Sequence, residues 1–577
     1  MDLLPFGELP PFKPRQFIPA DLTFTDWPRM APWFDAVEDR LALARSAADL
    51  EAVLIAWSEL SAAVDEEASR RYIAMTCHTD HPEAEQRYLQ FVEEIEPQLK
   101  TRQFQLERAF IEHPQRSQLP SRRFEVLIRS VKNLVELFRE ENVALETEEA
   151  KIGQQYQKLS GALTVTFQGE ERTLVAMGKY LEEPDRPLRE EAWTLVAQRR
   201  LEEREAFETQ LEQLLALRQQ IARNAGFRNY RDYVFRAKGR FDYTPADCVT
   251  FHEAVAQEVV PVLRDLQERR RQQLGLERLR PWDTAVDPLQ RPALKPFTDV
   301  AELITRTQKI FDRLDPQLAV GFAKLRTAKL LDLANRKGKA PGGYQSTLNE
   351  ARLPFIFMNA VGQKRDVEVL LHEAGHAFHA LAAQSEDLLA YRSAPIEFCE
   401  VASMSMELLG NEFLGEFYTG DEIRRARVEH LESIISVLGW IATVDAFQHW
   451  LYTHPGHDRT ARGAAWNELM DRFGGSVDWS GYEAARTHLW HRQLHIFLYP
   501  FYYIEYGIAQ LGALQVWANS KRDRRQALHD YQAALALGGS RPLPELFAAA
   551  GCRFQFDASI IKPLVELLRG ELTKLHA

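Results

Sequence analysis

The chain has 577 residues, of which 45% are hydrophobic and 27% are charged, and its formal net charge is −12. This composition is typical of a globular protein with a large core, and the acidic balance argues against nucleic acid or an anionic membrane as the main partner. The four cysteines lie far apart without a C-x-x-C pair, so they predict neither a disulfide scaffold nor a cysteine-based metal site.

The N-terminus has no basic segment ahead of an apolar stretch, and no run approaches 18 uninterrupted apolar residues. The sequence therefore predicts neither a signal peptide nor a transmembrane span, and we expect a protein of the reducing cytoplasm. It does not specify an oligomeric state.

The sequence of the first half of the chain predicts a mainly helical scaffold. Residues 1–35 are rich in proline and aromatics and predict an extended arm that packs onto the body. Amphipathic helices follow, most clearly at Glu83–Glu96 and Arg122–Arg139. Leu163–Leu174 predicts a short strand pair turned at Gly169, and a long helical stretch begins near Leu188.

The most strand-like region lies just before the central motif. Tyr344–Leu348 and Leu353–Asn359 predict two strands, and Pro354 makes the second either an edge strand or a strand beginning. An edge strand here would allow a peptide to add as a further strand, but an ordinary hairpin explains the pattern equally well. The candidate peptide-binding residues are Gly343, Tyr344, Phe355, Phe357 and Asn359.

Residues Asp366 to Gln384 predict a helix that carries the sequence H-E-A-G-H. Positions i and i+4 share a helix face, so His372 and His376 can present two nitrogens to one Zn²⁺. Glu373 points about 100° away and can act as general base on an attacking water without binding the metal. The helix is apolar on several sides, and two buried histidines with a buried glutamate would be costly without a metal.

A second predicted helix, from Ala394 to Leu409, is a source for the third ligand that a catalytic zinc site usually needs. Glu397, Glu400 and Glu407 form an acidic stripe on this otherwise apolar helix, and Glu400 has the most apolar neighbours. Glu407 could orient a ligand histidine, and Glu368, one turn before His372, is a rival for that role.

A tyrosine cluster follows near the C-terminus, where Pro500 predicts the start of a helix that runs to Trp517. On this helix Tyr499, Tyr503 and Tyr506 would share a face, with Tyr502 at its margin. Together with His495, these groups could donate hydrogen bonds to an oxyanion, and aromatic core packing is an equally good explanation. Tyr503 is the first candidate for the donor because it is central in the cluster.

Several of these motifs together resemble the thimet oligopeptidase and oligoendopeptidase F family of zinc metallopeptidases, and most closely its shorter bacterial branch, which includes Pz-peptidase. The matching segments are Gly342–Tyr344, Pro354–Asn359, Asp366–His379, Phe398–Ser403, His495–Tyr506, Ala536–Ser540 and Leu543–Gly551. The resemblance is strong from about Asp185 to the end. It divides the chain into an N-terminal helical region, 1–184, and a catalytic region, 185–577.

The resemblance implies a mainly α fold, a two-lobed helical clamshell of the gluzincin type with a small β-sheet beside the zinc helix. It implies one Zn²⁺ per chain with Glu400 as third ligand, and a role for His495 and the tyrosines at the tetrahedral intermediate. The expected activity is hydrolysis of internal bonds in short oligopeptides. A zinc carboxypeptidase of similar fold and a non-catalytic peptide-binding protein are the alternatives.

Overall fold

The computed structural model describes residues 3–576, and within them the chain is mainly α-helical. The predicted fold class is therefore confirmed. The helices, in chain order, are α1 Trp27–Leu43, α2 Ala47–Cys77, α3 Pro82–Gln90, α4 Glu96–Glu112, α5 Ser121–Leu137, α6 Glu140–Ala162, α7 Arg186–Glu202, α8 Arg204–Asn224, α9 Tyr230–Ala237, α10 Pro245–Ala254, α11 Val260–Gln273, α12 Val300–Leu314, α13 Pro316–Thr327, α14 Lys364–Ala382, α15 Ile396–Asn411, α16 Asp421–Thr453, α17 Arg459–Phe473, α18 Glu483–Thr487, α19 Leu494–Leu498, α20 Tyr503–Arg522, α21 Arg524–Ala536, α22 Leu543–Ala549 and α23 Ala558–His576.

Five short strands form two sheets in the described residues. They are β1 Thr164–Phe167, β2 Glu170–Thr173, β3 Leu331–Ala334, β4 Tyr344–Leu348 and β5 Leu353–Ala360. β1 and β2 pair antiparallel, as predicted, and the positive φ of Gly169 (79°) allows the tight turn between them. The second sheet has the order β3-β5-β4, with β3 parallel and β4 antiparallel to β5.

The order of the second sheet corrects the sequence analysis. β5 lies between two strands and is not an edge, so Pro354 marks the beginning of a strand, the second of the two expected positions. β4 is an end strand of this sheet, and β3 was not predicted at all. β3 has only four residues, too few for a clear alternation of apolar and polar side chains.

The chain divides into two compact units, each assembled from three separate segments. Unit 1 contains Leu294–Arg427, Ala509–Phe554 and the described residues up to Glu136. Unit 2 contains Leu137–Ala293, Val428–Ile508 and the described residues from Gln555 onward. The boundary predicted at residue 184 stays a prediction.

Unit 1 is built around the three-stranded sheet and the helices that follow it. β5 is buried except at Asn359, and α14 packs on it and on α15. Phe378 of α14 meets Phe311 of α12 edge to face, with 4.9 Å between ring centroids. The N-terminal arm contributes Phe6, whose ring lies 5.5 Å from that of Phe355. The arm does not stay extended to residue 35, because helix α1 begins at Trp27 with Pro28 in its first turn, where proline is tolerated.

Unit 2 is an all-helical body apart from the β1–β2 hairpin. Tyr156 of α6 stacks on Phe497 of α19, with 4.1 Å between ring centroids, and donates a hydrogen bond to the carbonyl of His491. By length and composition α16 is apolar enough to cross a membrane, but 67% of its most apolar window is buried inside the protein. That burial is typical of a core helix.

The helix that carries the tyrosines begins later than predicted. α20 starts at Tyr503, and the preceding Phe501 has a positive φ of 60°, which no α-helix accommodates. Tyr499 therefore lies outside the helix and does not share a helical face with Tyr503 and Tyr506.

Candidate metal centre

Helix α14 has a well-defined start. One oxygen of the Asp366 carboxylate accepts the backbone N–H groups of Val361, Gly362 and Gln363, at 2.8 to 2.9 Å. This satisfies backbone donors ahead of the first turn and places a negative charge where the helix dipole favours one. The helix that follows brings His372 and His376 to one side, with their ring centroids 4.9 Å apart.

Helix α15 crosses α14 at Gly375. A Cβ at this position would lie 2.6 Å from the carbonyl oxygen of Ala402 and from the Cα of Ser403, so only glycine permits the contact. The backbone of α15 therefore fills the space that a side chain at position 375 would need. The close crossing carries Glu400 to the two histidines.

Three side chains from these two helices converge. One carboxylate oxygen of Glu400 lies 3.4 Å from Nε2 of His372 and 3.8 Å from Nε2 of His376. One ligand atom from each residue lies within 4.8 Å of the other two, so the set could hold a metal ion. Two imidazole nitrogens and one carboxylate oxygen form the donor set of many catalytic zinc sites.

The remaining polar atoms of these side chains have partners that hold them in place. Glu407 accepts a hydrogen bond from Nδ1 of His372 at 2.6 Å, which directs Nε2 toward Glu400. Glu368, the rival for this role, forms an ion pair with Lys364 at 2.8 Å. Ser403 donates to the carboxylate of Glu400 at 3.0 Å, a contact that the sequence analysis did not find. A serine one turn after a ligand glutamate is the signal that could have found it.

Glu373 lies on the same helix as the two histidines but does not join the three converging residues. Burial raises the pKa of its carboxyl to about 7, and the negative charges of Glu400 and Glu407 add to the shift. The charge of His372 and a hydrogen bond from the backbone N–H of Gln345, on β4, act in the opposite direction. A carboxyl with a pKa near neutrality is suited to take up and release a proton.

Burial and neighbouring charges shift the two imidazoles in opposite directions. Burial lowers the pKa of His376 to about 4, so this imidazole is neutral and its nitrogen is available as a ligand. Burial also opposes the charged form of His372, but hydrogen bonds and charges from Glu400 and Glu407 outweigh it and raise the pKa. Burial opposes the ionised form of Glu400, but contacts with His372, His376 and Ser403 outweigh it and hold the pKa of Glu400 below its usual value.

The residues predicted to bind peptide have different surroundings. Phe355 and Phe357 are fully buried core residues, and β5 is paired on both sides, which corrects their assignment as peptide-binding side chains. Asn359 donates to the carbonyls of Ala340 and Gly342 and so holds the loop before β4. These three residues therefore support the neighbouring strand.

Tyr344, the first residue of β4, and Gly343, which precedes it, remain candidates for peptide contact. Tyr344 stacks on Phe357 at 4.8 Å and is hydrogen-bonded to the hydroxyl of Thr76 at 2.6 Å. Gly343 is exposed, and a Cβ added there would approach the carbonyl oxygen of Phe357 to 3.4 Å. β4 is an end strand of this sheet, and the backbone N–H of Gln345 on β4 contacts Glu373. The backbone of β4 therefore lies beside the candidate general base.

In unit 2 the structure gathers the predicted tyrosines around His495. Its ring centroid lies 5.0 Å from that of Tyr503, 5.5 Å from that of Tyr502, and 6.0 Å from those of Tyr499 and Tyr506. Burial and the nearby charge of Lys238 lower the pKa of His495 to about 4. This imidazole is therefore neutral and can donate only one hydrogen bond.

The tyrosines of this cluster differ in exposure. Tyr503 is buried, and its hydroxyl is hydrogen-bonded to the side chains of Trp440 and Gln493. Tyr502 and Tyr506 are half-buried. The engagement of the Tyr503 hydroxyl within unit 2 argues against Tyr503 as the first candidate for the donor.

Comparison with known proteins assigns the chain to one family. Residues 179–566 match Peptidase family M3, and residues 17–138 match the Peptidase M3 N-terminal domain. The chain therefore belongs to Peptidase family M3.

Among its relatives, the chain is 25% identical over 300 residues to the Oligoendopeptidase F homolog of Borreliella burgdorferi, a match that spans 49% of that protein and 50% of this chain. Its structure is similar to that of Pz peptidase A, solved with an inhibitor, with a TM-score of 0.87, 29% identity, and coverage of 95% of this chain and 97% of the other. An X-ray structure assigned as an oligoendopeptidase F has a TM-score of 0.86 and 28% identity, covering 98% and 99% of the two chains.

Proposed function

We propose that the protein is a zinc-dependent endopeptidase that hydrolyses internal bonds of short oligopeptides. The observation that carries the proposal is the convergence of His372, His376 and Glu400 beside Glu373. Membership of Peptidase family M3 and similarity to oligoendopeptidase F proteins support the same activity.

The residues at the site fit a zinc ion. The Glu400 carboxylate is buried, and Nε2 of His372 and Nε2 of His376 lie 3.4 Å and 3.8 Å from one of its oxygens, so a single cation bound by the three side chains would offset the desolvation of the carboxylate. His372, His376 and Glu400 would hold Zn²⁺, and Glu407 would orient His372. When bound, zinc polarises the scissile carbonyl and makes a water molecule more acidic.

Glu373 carries out the proton transfers in this proposal. Its carboxylate takes a proton from the water as the water oxygen bonds to the carbonyl carbon of the substrate. The same carboxyl then gives that proton to the amide nitrogen as the C–N bond breaks, so the products are a carboxylic acid and an amine. The near-neutral pKa of Glu373 suits both transfers.

We further propose that the oligopeptide lies along β4 as an additional strand, with Gly343 and Tyr344 at its entry. Hydrogen bonds to the backbone of β4 would bind peptides largely independently of their side chains. They would also place a scissile bond near Glu373.

Two peptides of the same sequence distinguish the candidate activities, one free and one blocked at both ends. An endopeptidase cleaves both peptides internally and yields complementary fragment masses. A carboxypeptidase releases single residues from the free peptide alone, and a binding protein cleaves neither. We expect internal cleavage of both, and a stable folded domain should remain intact under the same conditions. Release of single residues from the free peptide only would overturn the proposed activity.

Replacing Glu407 by Gln tests how His372 is positioned. The amide keeps the size of the side chain but weakens the hydrogen bond that holds Nδ1 of His372. We expect the zinc affinity to fall by about 10- to 100-fold, with activity recovered at high zinc. Glu368→Gln is the matched control and should leave the affinity unchanged, because Glu368 pairs with Lys364. Equal affinities for Glu407→Gln and wild type would contradict the role.

We also propose that His495 and one tyrosine of its cluster donate hydrogen bonds to the oxyanion, as the family resemblance implies. Tyr502→Phe or Tyr506→Phe should lower kcat by about 10²-fold with little change in KM, since the bond forms in the transition state. His495→Ala should show a similar loss. Tyr499→Phe, outside helix α20, is the control. Near-normal kcat in all of the Phe variants and in His495→Ala would assign the cluster to core packing.

A further inference from the structure

Two helices of unit 2 each present a pair of metal-binding residue types at helical spacing. α10 carries Cys248 and His252, and α16 carries Asp445 and His449. In each pair the residues stand at i and i+4, so both side chains lie on one face of their helix. The sequence analysis did not predict a site here because the two pairs are almost 200 residues apart.

The structure brings the two pairs together. Cys248, Asp445 and His449 each offer a ligand atom within 4.8 Å of the others. Oδ2 of Asp445 lies 2.8 Å from Nε2 of His252 and 3.3 Å from Nε2 of His449. The rings of the two histidines are 5.7 Å apart and nearly perpendicular.

All four side chains are removed from solvent. Their relative exposures are 1% for Cys248, 4% for His252, 0% for Asp445 and 7% for His449. Among the described residues, Oδ1 of Asp445 and Nδ1 of His449 have no hydrogen-bond partner, and Nε2 of His449 has only its 3.3 Å contact with Oδ2 of Asp445. Leaving such atoms unpaired in a buried position is unfavourable, and it is more unfavourable for a charged group.

The arginines near this cluster are bonded to other carboxylates: Arg231, which acts electrostatically on Cys248 and His449, is bonded to Asp232 at 3.0 Å. Arg240, which acts electrostatically on Cys248, is bonded to the carboxylate of Glu505 at 2.7 Å. The hydrogen bond from His252 engages only Oδ2 of Asp445. A metal ion accepts lone pairs from sulfur, nitrogen and oxygen at once. It could therefore bind Cys248, His449 and the remaining oxygen of Asp445 together.

We propose that unit 2 binds a second Zn²⁺ through Cys248, Asp445 and His449, and that this ion links α10 to α16. Thiolate, imidazole and carboxylate together favour zinc over Mg²⁺ or Ca²⁺, which prefer oxygen ligands. His252 orients the Asp445 carboxylate through its hydrogen bond. Because all four residues are buried, an ion at this site would link the two helices and would not be in contact with solvent. The proposal rests on unit 2 alone and does not depend on the proposed peptidase function.

Replacement of zinc by Co²⁺ in the full-length protein tests this site, because a cobalt–thiolate bond has an intense charge-transfer band in the near ultraviolet. The proposed ligands His372, His376 and Glu400 contain no sulfur, so the band reports only on a site with cysteine. We expect two Co²⁺ per chain and the thiolate band in wild type. His376→Ala should lose one equivalent of metal and keep the band. Cys248→Ser should lose the band and one equivalent.

Two other cysteines serve as controls. Cys552→Ser replaces a buried free cysteine and Cys399→Ser a partly buried one, and both variants should keep the band. If Cys248→Ser does not fold, the wild-type spectrum and the metal content of His376→Ala still decide the question. Absence of the thiolate band from cobalt-loaded wild type, or its persistence in folded Cys248→Ser, would overturn the proposal.

Discussion

Glu373→Gln should retain the full zinc content of the wild type and lose at least about 10²-fold in kcat. The amide cannot accept a proton from the attacking water, and a general base contributes about 10²- to 10⁴-fold. The fold should not suffer, because burial disfavours the ionised form of Glu373 and raises its pKa to about 7. Replacing the carboxyl by a neutral amide removes that cost. Metal analysis and steady-state kinetics on one preparation measure both effects.

Glu432→Gln is a control for the replacement of a partly buried glutamate. Burial also raises the pKa of Glu432, which lies in unit 2 and has no proposed part in catalysis. It should keep the wild-type kcat. A loss of less than about tenfold in Glu373→Gln would exclude Glu373 as the general base, whereas a simultaneous loss of zinc would show that the carboxyl supports the metal.

His376→Ala should lose one equivalent of zinc and nearly all activity. The imidazole is neutral and supplies one of three converging donors, so its removal leaves two. Removing a group that only orients a ligand costs about 10- to 100-fold in metal affinity or activity, and removal of the ligand itself should cost more. Metal content by mass spectrometry and kcat/KM for a blocked peptide measure the two losses.

His529→Ala replaces an exposed histidine in unit 1 and should keep both metal and activity. If His376→Ala keeps wild-type zinc content while activity falls, the histidine acts without binding metal. If both metal and activity survive, the assignment of the metal centre is wrong.

Much of unit 1 follows from local sequence patterns. The apolar spacing of α14 and the start of β5 at Leu353 were predicted from period and composition, because α14 buries apolar residues at helical spacing and β5 is an apolar run that is buried along almost its whole length. The start of α20 could not be predicted, since Pro500 is compatible with a first helical turn. Phe501 has a positive φ where its N–H donates to Gln448 and its carbonyl accepts from Arg240, and both partners lie far away in the sequence. The carbonyl of Tyr499 accepts the N–H of Tyr502 in the turn that results.

The metal centre was predictable to the extent that it lies on single helices. The i, i+4 pair His372 and His376 can be recognised without the fold, whereas the approach of Glu400 depends on the crossing at Gly375. The cluster of Cys248, His252, Asp445 and His449, in contrast, could not be predicted from single helices. Each of its residue pairs is unremarkable alone, and only the packing of α10 against α16 brings the sulfur to the second pair. Spacing along the chain carries no information about that contact.

The central claim is that one zinc ion binds between His372, His376 and Glu400. Anomalous diffraction at the zinc absorption edge, from crystals of the zinc-loaded full-length protein, tests it most directly. We expect a peak about 2.0 to 2.2 Å from Nε2 of both histidines and from an oxygen of Glu400. A peak at Cys248 would be separate and would not bear on this claim. Zinc-loaded crystals without a peak at the three residues, or with a peak that one of them does not contact, would contradict the account.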